Sequence, residues 1–465
     1  MFPALPRLQK HSPNFCFRTD AKGQSSSLIL LAFLFFSPAA LAQKSAAPNE
    51  DQIQAVIVLA RHGVRAPIES ETRSSAYNAQ PWPAWPAAPG VLTSHGAEAL
   101  KLLGEYYRSR YPSLLQHVPC DHRGIYVEAN TTQRTVASGK AMISGLAPDC
   151  RVDVHVRTNA PNPLFGPSSS SFVDHQKVGD ATLGRMANQP NWFTNAFSRS
   201  LGKMHHVLAD CSGLGCDPSK PDFRTVTVDH GLSSPRDARV DNPVALGADF
   251  AENFLLEYTE GLPMSQVGWG RVDREDLNDL MEMNTRYHDF MLRTPYGAQV
   301  AASDLAAHLR DTIVSIASGV AVAGQLGTPQ HHFFLLDGHD SNLSWLGGLL
   351  HLDWLLPDQT FNATPPGSAL VFEVHYSELT HVHTVQIFFI SQTLDQIRFL
   401  KPLTATEQPS VGPVFVPGCS GPAPAYACSV EDFARVVTTA IDPLFVESGS
   451  TGSPASNGTD GDSLF

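Results

Sequence analysis

The sequence predicts an α/β fold in which a mostly parallel sheet, flanked by helices, is interrupted by an inserted α-helical domain. Strand-like apolar runs alternate with helical patterns up to about residue 170, and strand-like runs return after residue 295. Between these limits the pattern changes to helices joined by polar linkers. We therefore expect a discontinuous α/β domain at 43–169 and 296–445, with the helical domain at 170–295.

The first segment of the chain has the features of an export signal. Residues 25–42 contain a short apolar stretch that ends in Ala40-Leu41-Ala42, a small-x-small cleavage site. The apolar run is too short to span a bilayer. We expect residues 1–42 to be a signal peptide, so that the mature protein is periplasmic or secreted.

Two strand–helix units follow the signal. The apolar run at 55–60 predicts a buried strand that leads directly into Arg61-His62-Gly63-Val64-Arg65. The Pro- and Trp-rich stretch 82–90 is irregular, and Thr93 or Ser94 caps the helix that comes after it. A second strand at 125–129 precedes a helix whose first turn contains Arg134.

The remaining elements belong to the insertion and to the second part of the sheet. Long amphipathic helices are expected within 237–261 and at 274–293, strands are expected within 331–340, 368–376 and 383–390, and the tail 446–465 is expected to be disordered.

Three polar clusters come at strand ends or in the turn that follows one: residues 61–65, Arg134, and Asp337-Gly338-His339-Asp340. In open α/β sheets ligands bind beyond the carboxyl ends of the strands. We therefore expect these clusters to converge on one site.

The chemistry that these residues favour is phosphoryl transfer. The guanidinium groups of Arg61 and Arg65 offer rigid forks of donors that suit an anion with several oxygens. His62, between them, is the expected nucleophile, because a neutral imidazole can carry a phosphoryl group. The neighbouring positive charges favour that neutral form.

The second half of the site is expected at His339 and Asp340. His339, if protonated or donating, binds a phosphate oxygen, and Asp340 gives a proton to the leaving alcohol, which points to an acidic pH optimum. Two simpler interpretations stay open. Asp340 taken alone is as well explained by a turn residue that caps the next helix, and Arg134 taken alone by a solvated surface residue.

The six cysteines after the signal fall into three local couples, Cys120/Cys150, Cys211/Cys216 and Cys419/Cys428. An even number in an exported chain favours disulfides, although sequence alone allows other pairings. A metal site is the weaker alternative, because no couple has the C-x-x-C spacing. The adjacent pairs His205-His206 and His331-His332 do not indicate a metal site either, because neighbouring residues do not share a face of a helix or of a strand.

The formal net charge of −13 is a poor match to nucleic acid or to an anionic membrane. We expect a small-molecule phosphate ester as the partner, with no nucleic acid, membrane or obligate protein partner. Neither a cofactor nor a metal is expected.

The two motifs RHGVRAP and GHDSN together resemble the histidine acid phosphatase family. Further segments, including the ANTTQRT turn, GWGR at 268–271 and TPPG, are similar to bacterial periplasmic phytases and glucose-1-phosphatases. The resemblance covers nearly all of residues 52–435. It implies a phosphoglycerate-mutase-like α/β domain with a helical domain, the active site between them, and no metal.

By this resemblance Arg61, Arg65, Arg134 and His339 form the phosphate clamp, His62 is the nucleophile and Asp340 is the proton donor. Glu252 falls where the helical domain of such enzymes faces the substrate. The couples Cys120/Cys150 and Cys419/Cys428 resemble disulfides of the family.

The chain departs from the phytase pattern after RHGVRAP, where phytases of this type have Thr-Lys and this chain has Ile68 and Glu69. An acidic group at the rim weakens attraction for phytate. Ser341 resembles the glucose-1-phosphatase version, whereas Gly63 and Val64 match the phytase version. We expect an exported phosphatase acting on phytate or related inositol phosphates, or alternatively on sugar phosphates. A phosphoglycerate-mutase-like phosphotransferase and an inactive phosphate-binding protein are the remaining alternatives.

Overall fold

The computed structural model describes residues 52–447 with gaps at 69–75, 117, 121–123, 158–161, 168–171, 212–216, 218 and 227–242. The predicted signal peptide and all but the first two residues of the predicted tail lie outside the described residues. The described residues belong to one compact unit.

The strands form a single sheet in the order β3-β2-β4-β1-β5-β6-β7, with β8 paired to β6. Their bounds are β1 Gln52–Arg61, β2 Ile125–Ala129, β3 Val154–Val156, β4 Phe333–Gly338, β5 Ala369–Ser377, β6 Val382–Ser391, β7 Ser410–Pro413 and β8 Cys428–Ser429.

The α/β architecture is as predicted, but the expectation of a mostly parallel sheet needs a correction. The pairs β3–β2, β2–β4 and β4–β1 are parallel, whereas β5, β6, β7 and β8 all pair antiparallel. For β5 and β6 the reason is the connection between them, which is a tight turn at 378–381. So short a connection can join antiparallel strands only, because parallel strands need a long crossover.

Helices cover both faces of the sheet and fill the insertion. Their bounds are α1 Ser94–Arg110, α2 Pro112–Leu115, α3 Gln133–Leu146, α4 His175–Arg185, α5 Pro190–Ala196, α6 Ser198–Leu208, α7 Pro243–Thr259, α8 Arg274–Leu292, α9 Pro295–Ser318, α10 Asp340–Leu350, α11 Leu394–Arg398 and α12 Val430–Ala440.

Alternate residues of the central strand β1 serve two different cores. Val58 belongs to the apolar cluster shared with α1 and α3, and Leu59 to the cluster shared with α9, α10 and α12. This burial on both faces explains why the run at 55–60 is continuously apolar. α1 begins at Ser94 because the Thr93 hydroxyl accepts a hydrogen bond from the Gly96 backbone N–H at 2.9 Å.

In the described part of the segment from α4 to α8, the regular elements are helices and short 3-10 turns, joined by irregular connections. This segment has its own apolar cluster, to which Phe193, Phe250 and Leu277 contribute. α7 and α8 confirm the two long helices expected there. The boundaries at 170 and 295 stay a prediction.

Two of the expected disulfides are formed, Cys120–Cys150 and Cys419–Cys428. These four sulfurs are therefore not metal ligands. The Cys211–Cys216 couple lies partly outside the described residues, because Cys216 is not among them. No helix in the described part of the chain has the length and apolar character that crossing a membrane requires.

Candidate active site

Three neighbouring parallel strands end at one edge of the sheet. Ala60 and Ala129 both lie opposite Asp337, so β1 and β2 end beside β4. The residues that follow these strands, His62, Asn130 and His339, are thereby brought together. This convergence is the arrangement that the sequence predicts.

The hydrogen bonds of His62 fix which of its ring nitrogens carries the proton. Its backbone N–H donates to the Gly338 carbonyl at 3.0 Å, and its Nδ1 lies 2.8 Å from the Gly63 carbonyl oxygen. A carbonyl only accepts, so Nδ1 carries the proton and Nε2 has the free lone pair. Burial, followed by the charges of Arg134 and Arg61, holds the pKa of His62 well below its ordinary value. The imidazole is therefore neutral and nucleophilic.

The loop after His62 packs directly against α1. A Cβ at Gly63 would lie 2.7 Å from Leu100 Cδ1, and a Cβ at Gly96 would lie 2.3 Å from the Val64 carbonyl oxygen. The Gly63 N–H also donates to Ser138 Oγ at 3.0 Å. The approach to the Val64 backbone requires glycine at position 96, and a side chain at position 63 would fit only if Leu100 shifted.

Arg61 is buried between two carboxylates. Its guanidinium pairs with Glu252 of α7 and lies 3.2 Å from Asp340 Oδ2, and it also donates to the Thr364 carbonyl. Glu252 was expected at the substrate rim, but it is only 5 % exposed. That expectation is corrected: Glu252 faces the clamp as a partner of Arg61, because a buried guanidinium requires a compensating charge.

Arg65 and Arg134 are the other two cations of the site. Arg65 is buried and donates to the Ala66 carbonyl at 3.2 Å. Arg134 lies half-buried in the first turn of α3, and its charge lowers the pKa of both His62 and His339. A Cβ at Gly90 would lie 3.3 Å from Ile68 Cγ2 and 3.6 Å from an Arg134 guanidinium nitrogen. Ile68 and Arg134 therefore both lie next to Gly90, while Glu69 is outside the described residues.

His339 stands across from His62, with 5.4 Å between the ring centroids. The Asn130 amide Nδ2 lies 2.8 Å from His339 Nε2, so the amide donates and the proton of His339 lies on Nδ1. Burial and then the charge of Arg134 lower the pKa of His339 to about 3. His339 is therefore neutral and can donate through Nδ1. Of the two forms that the sequence left open, protonated or neutral and donating, the structure favours the second.

Asp340 is the first residue of α10. Burial raises the pKa of its carboxyl, but nearby positive charge, that of Arg61 foremost, outweighs this and holds the pKa below its usual range. Its Oδ1 accepts a hydrogen bond from the N–H of Ser341 at 2.7 Å, and Asn342 Oδ1 accepts from the His339 backbone N–H at 2.8 Å. The N-cap of α10 is His339 and Asp340 is the first residue inside the helix, so the simpler interpretation of Asp340 as the capping residue loses support.

Several residues of the site are not among those that the sequence predicts. Asn130 follows β2 directly, so its position after a strand end could have indicated a site residue. Thr364, whose carbonyl accepts from Arg61, comes from a segment whose local pattern gives no such signal. Asp337 is fully buried beneath the site, and its two carboxylate oxygens have no hydrogen-bond partner among the described residues. Burial raises its pKa well above the usual range.

Comparison with known proteins supports the same chemistry. Residues 52–215 match the histidine phosphatase superfamily (branch 2). Phytase AppA of Escherichia coli (strain K12) is 30% identical over 430 residues, which are 89% of this chain and 98% of that protein. A glucose-1-phosphatase of Salmonella typhimurium is 27% identical over 86% of this chain and 95% of that protein.

A solved structure agrees in fold. The phytase of Hafnia alvei in complex with tartrate has a TM-score of 0.73 and 29% identity, and the match covers 86% of this chain and all of that one. The chain belongs to branch 2 of the histidine phosphatase superfamily and is a phosphoric monoester hydrolase.

Proposed function

We propose that the protein is an exported histidine acid phosphatase that hydrolyses phosphate monoesters through a phosphohistidine at His62. The observation that carries the proposal is the neutral His62, with its Nε2 lone pair free, among Arg65, Arg134 and His339. These three donors suit the equatorial oxygens of a transferring phosphoryl group, where negative charge is concentrated.

The reaction takes two displacements. In the first, His62 Nε2 attacks phosphorus, the bond to the ester oxygen breaks, and Asp340 gives its proton to that oxygen, which leaves as the alcohol. In the second, the Asp340 carboxylate takes a proton from water, whose oxygen attacks phosphorus. The P–N bond breaks and inorganic phosphate is released.

The first displacement requires Asp340 to be protonated, although Arg61 favours its ionised form. A phosphoryl dianion competes for the Arg61 guanidinium and adds negative charge beside the carboxyl. Both effects raise the pKa of Asp340. Substrate binding therefore supplies the conditions under which the acid retains its proton.

Rapid-quench labelling tests the intermediate. A phosphate ester labelled in its phosphoryl group is mixed with the enzyme and quenched in alkali, where phosphohistidine is stable. Label that is retained on the peptide containing His62 supports the proposal. A protein that binds phosphate without labelling is an inactive binding protein, and that result would sink the mechanism.

For the substrate we propose phytate or related inositol phosphates, with sugar phosphates as the alternative. The identity of 30% to a phytase over nearly the whole chain, and Gly63-Val64, favour the first. The 27% identity to a glucose-1-phosphatase and the residues Ile68, Glu69 and Ser341 favour the second.

A substrate panel across pH separates these alternatives. Phytate, glucose 1-phosphate and an aryl phosphate are compared in the natural protein and in Glu69→Lys. If Glu69 limits phytate use, the variant gains kcat/KM for phytate selectively, because a lysine attracts a multiply charged ester. An added alcohol acceptor in the same assays measures transferred against released phosphate. Dominant transfer would favour a phosphotransferase instead.

Export is proposed from residues 25–42 and from the paired cysteines. Cell fractionation and N-terminal sequencing of the mature protein test it. The proposal expects a mature chain that begins after Ala42 outside the cytoplasm.

A further inference from the structure

Asn130 follows β2 directly, and each of its four polar groups is hydrogen-bonded. Its backbone N–H donates to the Asp337 carbonyl at 3.0 Å, and its carbonyl accepts from the Thr135 hydroxyl at 2.7 Å. Its side-chain Oδ1 accepts from the Thr131 N–H at 2.8 Å, and its Nδ2 lies 2.8 Å from His339 Nε2. The position of the Asn130 amide is therefore fixed by β4, by α3 and by its own turn.

The contact with Thr131 decides which end of the amide faces His339. A backbone N–H only donates, so the amide atom beside it is the oxygen. The NH₂ group then faces His339 and can only donate, so His339 Nε2 accepts. A neutral imidazole that accepts at Nε2 carries its proton at Nδ1, and it cannot take a second proton without losing this hydrogen bond.

The charges around His339 act in the same direction. They are those of Arg134 on α3, Arg61 and Arg65 at the end of β1, and Asp340 on α10. Three of these four groups are cations and disfavour a further positive charge on the imidazole. Burial and then the charge of Arg134 lower the pKa of His339 to about 3. A carboxylate in place of the Asn130 amide would instead favour the imidazolium form.

The ring of His339 stands where its proton bears on the reaction. It lies across from the nucleophile His62, with 5.4 Å between the ring centroids and 77° between the ring planes. A phosphoryl group on His62 is therefore within reach of His339. The Nδ1–H of this imidazole donates to a phosphoryl oxygen, whereas a lone pair at Nδ1 would repel that oxygen.

We propose that Asn130 is a positioning residue whose amide selects the tautomer of His339 that donates to the phosphoryl group. Because the amide carries no charge, the affinity of the site for an anion does not vary with ionisation of His339. The proposal rests on the proposed function of the same site. It assigns a role to a residue that neither RHGVRAP nor GHDSN contains.

Asn130→Asp tests the proposal, because it keeps the shape of the side chain and replaces the donor by a carboxylate. At acidic pH the imidazole takes a second proton, pairs with this carboxylate and still donates from Nδ1. As pH rises the imidazolium loses a proton, and the carboxylate holds the remaining one at Nε2. The donor to phosphate is then lost and a negative charge is added to the site.

The measurement is the Kd of inorganic phosphate by calorimetry, from about pH 4 to about pH 8, the range in which histidine charge changes matter. Each Kd is divided by that of the natural protein, which cancels the ionisation of phosphate itself. For Asn130→Asp this ratio is expected to rise with pH by roughly tenfold or more, since a hydrogen bond to a charged group is lost.

Two further variants complete the comparison. Asn130→Ala no longer selects a tautomer, so its ratio is above one but independent of pH. Thr131→Ala is the matched control, because Thr131 is exposed and contacts Asn130 through its backbone N–H, so its ratio stays at one. Circular dichroism confirms that each variant is folded.

A ratio for Asn130→Asp that stays constant with pH would overturn the proposal, as would an unchanged Kd in Asn130→Ala. Phosphate binding requires no turnover, so failure of the proposed function gives a different result. In that case the natural protein binds phosphate but neither hydrolyses esters nor retains label on His62.

Discussion

The sheet edge and the helical segment contribute to the same site in different ways. At the sheet edge the backbone itself positions the groups: the His62 N–H bonds to Gly338, and the Gly63 N–H bonds to Ser138. Glu252 instead projects from α7, which packs in a separate apolar cluster. The sheet edge therefore supplies the reacting groups, and the helical segment supplies the counter-charge of Arg61.

The same two regions each bury a carboxyl group without a cation beside it. Asp337 lies under the strand ends with no hydrogen-bond partner among the described residues, and Glu257 of α7 accepts one hydrogen bond from the Gly268 N–H at 2.8 Å. Burial raises the pKa of both groups, that of Glu257 to about 8. Both carboxyl groups therefore favour the protonated form at acidic pH.

The largest effect is expected at the sheet edge, from His62→Ala. Removing the nucleophile lowers kcat by on the order of 10⁴-fold or more, because no other group in the site can take the phosphoryl group. The measurement is steady-state turnover of an aryl phosphate, with circular dichroism to confirm folding. His206→Ala, at an exposed histidine, is the matched control. If His62→Ala retained a tenth of the activity, the proposed roles of the two regions would be wrong.

Asp340→Asn is expected to act next most strongly. The variant keeps the shape of the side chain and loses the proton, so kcat falls by roughly 10²–10⁴-fold. The loss is smaller for an aryl phosphate, whose leaving oxygen needs less protonation. In the natural protein kcat declines as pH rises, because Asp340 ionises. A uniform loss across leaving groups would contradict the assignment of Asp340 as the acid.

A stability measurement compares the two buried carboxyls. The pKa of Glu257 is higher in the folded protein than the ordinary value of about 4.3 in the unfolded chain, so its contribution is complete below that pH and is lost as pH rises toward about 8. Glu257→Gln should therefore flatten the decline in the free energy of unfolding over this range, measured by urea denaturation. Asp337→Asn should act in the same direction, and Glu282→Gln should leave the slope unchanged. If the free energy of unfolding changed with pH in the same way in every variant and in the natural protein, this account would be wrong.

The smallest effect is expected at a contact that joins the two regions. The Thr93 hydroxyl accepts from the Gly96 N–H and donates to Glu260 Oε2 at 2.6 Å, at the end of α7. Thr93→Ala removes this helix cap and lowers the free energy of unfolding by about 1 kcal/mol. Thr93→Ser keeps the hydroxyl and serves as the control. If Thr93→Ala and Thr93→Ser had the same free energy of unfolding, the Thr93 hydroxyl and its hydrogen bonds would not contribute to stability.

Much of the sheet and most of the strand-end groups were predictable. The runs at 55–60 and 125–129 are strands, Thr93 caps the next helix, and Arg61, His62, Arg134 and His339 meet at one edge. These predictions depend on local patterns and on the rule that parallel strands end together. The antiparallel half of the sheet does not follow from the alternation of strand and helix patterns, because the direction of a strand depends on its connection, and the connection between β5 and β6 is short.

The sequence by itself determined the reaction class of this protein, because the groups that perform it are contiguous with buried strands and come in two short motifs. Only the tertiary structure decided that Arg61 pairs with Glu252, which is 191 positions away, and that Glu252 is buried. The physical reason is that charge pairing and burial depend on distance in space. Residues on α7 and α8 approach the sheet edge through packing that no local pattern records.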